Sequence, residues 1–422
     1  MPGMGTLMTL TKRSTERLTW QAELPPDAAR RIKANLADAG AVSDCSGEGR
    51  RPKLVIFVSE DWYLWSHRFP LAVAAKAAGY EVVVITRVSS YERAIREHGF
   101  GLIPIRMTRR TLSPLRELSA LREVVGIYRR LRPDVVHHVA IKPVLYGSIA
   151  ARIAGVTGVV NALTGLGWLF SDSKGGPAVV RALVSAAFRV LLKRGEVLVQ
   201  NPDDLKMVAG LGIDDGAISV IKGAGVELDR FVPSKEPEGV PMVLLASRML
   251  WCKGVQEFVD AARLLKDAGV RAQFVLVGTP DEENPSAVPE QALRDWNDEG
   301  VVEWWGRRDD MPQMFARAST ICLPSFYREG VPKVLIEAAA CARPIVTTDT
   351  PGCREVVRHR ENGLLVPPRD VPALADAIGQ LIAHPEDRRR MGAVGRQIAE
   401  SEFSVETVVD STLAIYQKVR NR

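Results

Sequence analysis

From Lys53 to Val366, short apolar runs rich in valine and isoleucine alternate with helical patterns. Continuously apolar runs suit strands covered on both faces, and strands separated by helices pair in parallel. The first set is Lys53–Ser59, Glu81–Thr86, Asp134–Val139, Gly158–Leu163, Glu196–Gln200 and Ile218–Lys222. The second is Pro241–Ser247, Ala272–Gly278, Val301–Trp305, Ser319–Pro324 and Pro344–Thr348. Between them, Phe231–Pro241 is rich in proline and charge and reads as a linker. Each half holds roughly 180 residues, the size of one doubly wound domain. The predicted limits are a loosely ordered extension over 1–50, domains over 51–234 and 235–404, and a helix over 405–422 crossing back. A short helix is expected near Asp27–Asp38 in the extension. Ligands of such sheets sit beyond the carboxyl ends of the strands, so two of them facing each other enclose a cleft.

Composition narrows the function classes. With 46% hydrophobic and 25% charged residues the chain can build large cores. The net charge of +6 is spread over 422 residues, which suits anionic ligands or an anionic surface and does not argue for nucleic acid. Five cysteines at irregular spacing, without CxxC, predict neither a disulfide framework nor a zinc knuckle, and favour a reducing cytoplasm. No run of 18 apolar residues and no apolar leader is visible, so neither a spanning helix nor a signal peptide is expected.

The most informative stretch runs from Ser319 to Glu337: a strand, the turn YREGVP, then the helical pattern KVLIEAAACA. Pro332 suits a first helical turn, where its missing N–H costs nothing. The N–H groups of Lys333, Val334 and Leu335 are then expected to face the cleft, as at phosphate-binding helix starts. Glu329 and Glu337 bracket the turn, and a carboxylate can accept from two neighbouring hydroxyls of a ribose or sugar. A second stretch, SRMLWCKG, leaves the strand PMVLLAS and carries Arg248 and Lys253, two cations placed to neutralise a departing diphosphate. A single glutamate there would read as a capped helix with a solvated side chain, but strand, Gly-Val-Pro turn and both glutamates together do not; the second stretch alone reads equally well as a solvated basic loop, and beside the first it points to a site.

These pieces resemble the GT-B retaining glycosyltransferases of family 4. The matching motifs are SRMLWCKG, REGVPKVLIEAAACARPIVTTDTPGCREVV, ENGLLVPP and GAGVELDRF, with FVSEDWYLWSHRFPLA, HHVAIKPVLYG and NALTGLGWLF in the first half. They are similar to the subgroup of bacterial polysaccharide and lipid-linked oligosaccharide assembly, including N-acetylgalactosaminyltransferases acting on undecaprenyl-diphosphate-linked sugars. The resemblance implies an α/β GT-B fold, two Rossmann-like doubly wound domains facing each other across a cleft. It implies that Arg248 and Lys253 hold the donor diphosphate, Glu337 the ribose and Glu329 the transferred sugar. Gly330, Val331 and Pro332 would shape the turn, with Val334 and Leu335 behind it. No metal or other cofactor is implied, the nucleotide sugar being a substrate, and the chain has no DxD.

For the acceptor side the cleft candidates are His67, Arg68, His138, Lys142, Thr164 and Gly165. His67 and Arg68 follow the first strand, although Trp62, Tyr63 and Trp65 would equally make that loop a packing cluster. Adjacent strand residues face opposite sides, so His137 and His138 cannot share an ion: one is expected in the core and one toward the cleft. Many members of the broader family carry a histidine after the next strand, where Asn161–Gly167 has none; the backbone N–H groups of Thr164–Gly167 are expected to bind donor or acceptor phosphate. GLGWLF and GAGVELD lack the third glycine of a dinucleotide fingerprint.

Arg106–Arg132 contains eight arginines among leucines and valines at helical spacing, and Ala178–Lys193 is an apolar segment with sparse arginine. Such helices predict a peripheral position on the inner face of the cytoplasmic membrane, beside a lipid-linked or saccharide acceptor. Two other functions consume the same motifs: a GT-B nucleotide-sugar 2-epimerase, and a non-catalytic sugar-nucleotide-binding regulator.

Overall fold

A computed structural model describes residues 50–107, 113–166 and 178–422. The extension up to residue 49 with its expected helix, Cys45, and the segments 108–112 and 167–177 lie outside the described residues.

The first sheet is built from β1 (Lys53–Glu60), β2 (Glu81–Arg87), β3 (Gly101–Pro104), β4 (Val135–Val139), β5 (Gly158–Ala162), β6 (Glu196–Val199) and β7 (Ile218–Val220). The second is built from β8 (Met242–Ala246), β9 (Gln273–Val277), β10 (Glu303–Trp304), β11 (Thr320–Leu323), β12 (Ile345–Thr348) and β13 (Gly363–Val366). The orders are β3-β2-β1-β4-β5-β6-β7 and β10-β9-β8-β11-β12-β13, and every named pairing is parallel. The central strands are buried on both faces, as their uninterrupted apolar runs require. Two core clusters flank each sheet, and a fifth lies under the helix Ala178–Leu191.

Each order reverses once, between β1 and β4 and between β8 and β11. A crevice opens at such a reversal, because the connections on its two sides leave in opposite directions. The loops after β1 and β4 hold the acceptor-side candidates, and those after β8 and β11 hold the cation and glutamate motifs.

Two segments cross between the sheets, and they are tied together. Val226 N donates to Phe403 O at 2.9 Å and Val405 N to Val226 O at 3.0 Å. Gly225 has φ +76 and an added Cβ would stand 2.7 Å from Val405 Cα, so only glycine fits there. The helix Val405–Arg420 then packs on the first sheet, Ser404 capping its start and Glu196 taking Lys418 and Arg422 near its end at 2.9 and 2.6 Å.

Candidate active site

The wall formed by the second sheet begins at Ser247, where β8 ends. Lys253 lies in a single 3-10 turn, Trp251–Lys253, closed by Gly254 at φ +76; an added Cβ there would collide with the Pro324 carbonyl. This close approach sets Lys253 against the loop after β11, where its ammonium pairs with Glu329. Ser325 Oγ donates to the other Glu329 oxygen at 2.7 Å and lies 3.2 Å from Cys252 O. Thr347 and Thr348 hold the end of β11 by donating to Leu323 O and Ser325 O. The Glu329 carboxylate is thus fixed by one cation and one hydroxyl. Arg248 is more exposed, pairs with Asp281 at 2.6 Å, and lies 5.8 Å from the Trp62 ring of the opposite wall.

The helix Lys333–Ala340 starts at Pro332, which is its cap rather than its first residue, and no side chain caps it. Leu335 N donates to Pro332 O at 3.1 Å, so the expectation that this N–H faces a ligand is corrected: the first turn tightens and uses it. Val331 N is likewise taken, by Gln200 Oε1 at 2.9 Å. The N–H groups of Lys333 and Val334 have no partner among the described residues. Glu337 faces the same way, with its carboxylate 3.3 Å from the Lys333 ammonium.

The turn docks directly on the first domain. Gly330 N donates to Thr164 O at 3.2 Å, and a Cβ on Gly330 would stand 2.6 Å from that oxygen and overlap Gln200 Oε1. Gly165, at φ +145, completes the contact, since its own Cβ would reach 3.0 Å from Gly330 N. Two glycines are needed because two backbones touch. Thr164 here offers a carbonyl to the turn.

On the wall of the first sheet, β1 shifts register between Phe57 and Glu60 and runs into a helical turn whose last five residues, Leu64–Arg68, form a π-helix. Such a turn often marks a functional position, since it trades regular hydrogen bonding for side-chain placement. The buried Asp61 anchors it, accepting from Trp62 N, Ser89 N, Ser90 N and Tyr91 N at 2.7–2.9 Å and from Ser89 Oγ at 2.5 Å. His67 stacks on Tyr63 and contacts Ser66 Oγ through Nδ1 at 2.6 Å. Burial first, then the charges of Lys333, Arg68, Arg248 and Lys253, hold its pKa well below the ordinary histidine value. The imidazole is therefore neutral at pH 7 and stands where both walls contribute cations. The Lys333 ammonium reaches across to Ser66 O at 2.7 Å.

Two acceptor-side candidates stand elsewhere. His138 is removed from the cleft: it is wholly buried, with Nε2 3.0 Å from Tyr128 OH and Nδ1 2.7 Å from Asn161 Oδ1. Gly147 leaves it room, because a Cβ there would overlap the ring. His137 faces the other side of the sheet and meets Tyr416 OH at 2.5 Å, so the opposed orientation holds but both rings belong to cores. Lys142 is tied to Glu117 at 3.1 Å, and Glu117 also accepts from Tyr146 OH.

Residues passed over in the motifs do much of the positioning. The turn motif uses only the N–H of Lys333, although its i,i+4 relation to Glu337 is a visible pairing signal. Gln200, a polar residue closing the apolar run Glu196–Gln200, was a second visible signal. Asp61 and Asp281 act through contacts 28 or more residues away and had none.

Two parallel-sheet domains with their switch points turned toward one cleft define the GT-B class of glycosyltransferases. Known proteins agree in both halves. A family model described as Glycosyl transferase 4-like matches residues 53–201, and one described as Glycosyl transferases group 1 matches 240–384. The chain is 28% identical over 370 residues to the N,N'-diacetylbacillosaminyl-diphospho-undecaprenol alpha-1,3-N-acetylgalactosaminyltransferase of Campylobacter jejuni, covering 84% of this chain and 96% of that one. It is 24% identical over 280 residues to the UDP-Gal:alpha-D-GlcNAc-diphosphoundecaprenol alpha-1,3-galactosyltransferase of Escherichia coli, covering 64% and 71%. The fold matches a sucrose-phosphate synthase from Thermosynechococcus elongatus with a TM-score of 0.74 at 21% identity, covering 87% of this chain and 99% of that one. The chain belongs to the group 1, GT4-like glycosyltransferases, and it is a hexosyltransferase.

Proposed function

We propose that this enzyme moves a hexose or N-acetylhexosamine from a UDP-sugar to a saccharide carried on a lipid diphosphate, with retention at the anomeric carbon and without a metal. The observation that carries the reading is the meeting of Lys253, Glu329 and Ser325 beside the open start of the helix Lys333–Ala340. The two relatives named above act on diphospho-undecaprenol-linked sugars, and the name of one specifies a UDP-sugar.

Arg248, Lys253 and the free N–H groups of Lys333 and Val334 receive the donor diphosphate. Gly330, Val331 and Pro332 shape the turn beneath it, Leu335 anchors that turn from inside, and Glu337 takes the ribose diol. Glu329 faces the transferred sugar and offsets positive charge at its anomeric carbon. As the bond from that carbon to the diphosphate breaks, the acceptor oxygen bonds on the same face. Its proton passes to the departing diphosphate, whose charge the cations stabilise. Neutral His67 lines the opposite wall without competing for that proton. The working units are 51–234 for the acceptor and 235–404 for the donor, with 405–422 returning across the junction.

The same reading places the enzyme on the inner face of the cytoplasmic membrane. The helix Pro114–Leu131 exposes Leu115 (80%) and Leu118 together with Arg116, Arg122, Arg129 and Arg130. The helix Ala178–Leu191 exposes Leu183 (64%), Val190 and Arg189, and both helices pack on Ile141–Ala154. Apolar residues beside arginines suit a headgroup layer, where each cation contributes about 1 kcal/mol. No described helix is long and apolar enough to cross a membrane.

The test is a panel of UDP-sugars, with and without a polyprenyl-diphosphate-linked N-acetylhexosamine and with and without EDTA, the product's anomer read by NMR. Acceptor-dependent release of UDP with an α-product from an α-donor supports the reading. Turnover that needs no acceptor makes the enzyme an epimerase, and nucleotide binding without turnover makes it a regulator.

A further inference from the structure

We propose that Arg68 is the receptor for the acceptor's diphosphate, a second anion site behind the first-domain wall and separate from the donor's cations; this rests on the transferase reading above. The motivating observation is an unpaired charge. Arg68 is 5% exposed, its Nε has no hydrogen-bond partner, and no hydrogen bond or ion pair joins its guanidinium to any described residue. Arginine stays protonated at any pH a protein tolerates, so a nearly buried cation stands without a counter-ion, its Nε sealed off and its terminal nitrogens not among the sealed unpaired atoms. The groups its charge acts on, His67, His137 and Tyr416, offer none. Burial lowers the two histidines and raises the tyrosine, leaving all three neutral at pH 7.

Native structures keep such a group where a ligand completes it. Its place fits. Arg68 ends the π-helical turn whose Ser66 carbonyl takes the Lys333 ammonium at 2.7 Å, so it lies beside the seam between the domains. The donor's needs are already met on the opposite wall, where two cations and two free N–H groups suit one diphosphate. A further cation on the acceptor wall calls for a further anion, and a planar guanidinium fits phosphate oxygens in a fork. The acceptor is thereby selected by its diphosphate as well as by its sugar.

The experiment uses the full chain, Arg68→Met and Arg68→Lys, with two acceptors: an N-acetylhexosamine on a short polyprenyl diphosphate, and the same sugar on a neutral alkyl chain. Arg68→Met is expected to cut kcat/KM for the diphosphate acceptor ~10–100-fold, the size of a lost charge-assisted pair, and to erase the preference over the neutral acceptor. Arg68→Lys restores part of that preference. Affinity for UDP is expected to hold and the melting temperature to stay or rise, since a buried unpaired charge has been removed. A readout free of catalysis uses the Arg248→Ala, Lys253→Ala background, where inorganic pyrophosphate still raises the melting temperature and ceases to once Arg68→Met is added. Equal losses on both acceptors, a loss of UDP affinity instead, a lower melting temperature in Arg68→Met, or no pyrophosphate shift in that background each overturn the assignment. If the wild-type chain transfers no sugar while the pyrophosphate shift depends on Arg68, the anion site stands and the transferase reading falls.

Discussion

On the second-domain wall of the cleft Arg248, Lys253 and Lys333 each touch a carboxylate, whereas on the facing wall Arg68 touches none. The paired cations sit in loops and at a helix start, at the exits of β8 and β11. The unpaired one sits on a π-helical turn held from outside by Asp61. The difference teaches how each wall waits for its substrate. Where a cation has an internal counter-ion, an arriving diphosphate must displace it, and Asp281 or Glu329 is freed for another partner. Where the cation has none, rigid packing carries the electrostatic cost until an anion arrives.

The largest effect should come from emptying the paired wall. Replacing both Arg248 and Lys253 with alanine removes the charges proposed to meet the leaving group, each such donor being worth about 10²–10³ in rate. Steady-state release of the nucleotide diphosphate is expected to fall by at least ~10³-fold. A double variant that turns over at the wild-type rate would break the comparison at its root, because that wall would then have no catalytic role.

Next comes the frame of the facing wall. Asp61→Ala strands three consecutive N–H groups, Ser89 to Tyr91, together with Trp62 N. The cost is about 2–4 kcal/mol, since several charge-assisted hydrogen bonds to one buried carboxylate are lost together. A clear fall in melting temperature, with UDP affinity retained, would show that the walls are built separately. A parallel loss of UDP affinity would show them to be one mechanical unit.

The walls also differ in acid sensitivity. Burial pushes His138 down to about 4 and lowers His137 too, one on each face of the first sheet. With folded values below the unfolded value near 6.5, the unfolded chain binds more protons as pH falls. Stability present above about pH 6.5 is therefore lost on acidification, by up to about 1.4 kcal/mol per pH unit and histidine, the His138 share ending near pH 4. Hydrogen exchange between pH 7.5 and 5 is expected to show the first sheet opening before the second. The second sheet opening first would remove these histidines as the cause.

How much of this was legible in the sequence follows from the range of the interactions. The eleven expected strands are local apolar runs, and each is present. The two unlisted ones, β3 and β13, lie at sheet edges, where four residues suffice; β3 even ends in Pro104, tolerable only because no further strand needs its N–H. The loops proposed to hold the donor are readable because their chemistry is contiguous, from Arg248 to Lys253 and from Glu329 to Glu337. The acceptor wall is not. Alternation along β4 shows that His137 and His138 diverge, but that neither ring is open depends on Tyr128 over one face and on Tyr416, 279 residues away, over the other. The lone state of Arg68 is an absence of partners, which no local pattern spells.

The smallest effect concerns what holds the walls at their present spacing. Arg87 at the end of β2 forks onto Glu283 with contacts of 2.5 and 3.0 Å and lies 3.3 Å from Glu60, while Arg307 donates to Tyr91 OH at 3.1 Å. These bridges join the two domains at the cleft rim, where Glu283 is half exposed. Solvent and salt screen such pairs, so the fork contributes at most ~1 kcal/mol. Glu283→Gln is therefore expected to change kcat or KM for the donor by no more than about fivefold, with the difference shrinking as salt rises from about 0.05 to 0.5 M. Because the Gly330–Thr164 contact does not involve the rim pair, the variant should bind UDP nearly as well while releasing it faster, a change visible in stopped-flow dissociation. A large, salt-insensitive loss would mean that the rim, and not the glycine contact, sets the distance across which paired and unpaired cations meet their substrates.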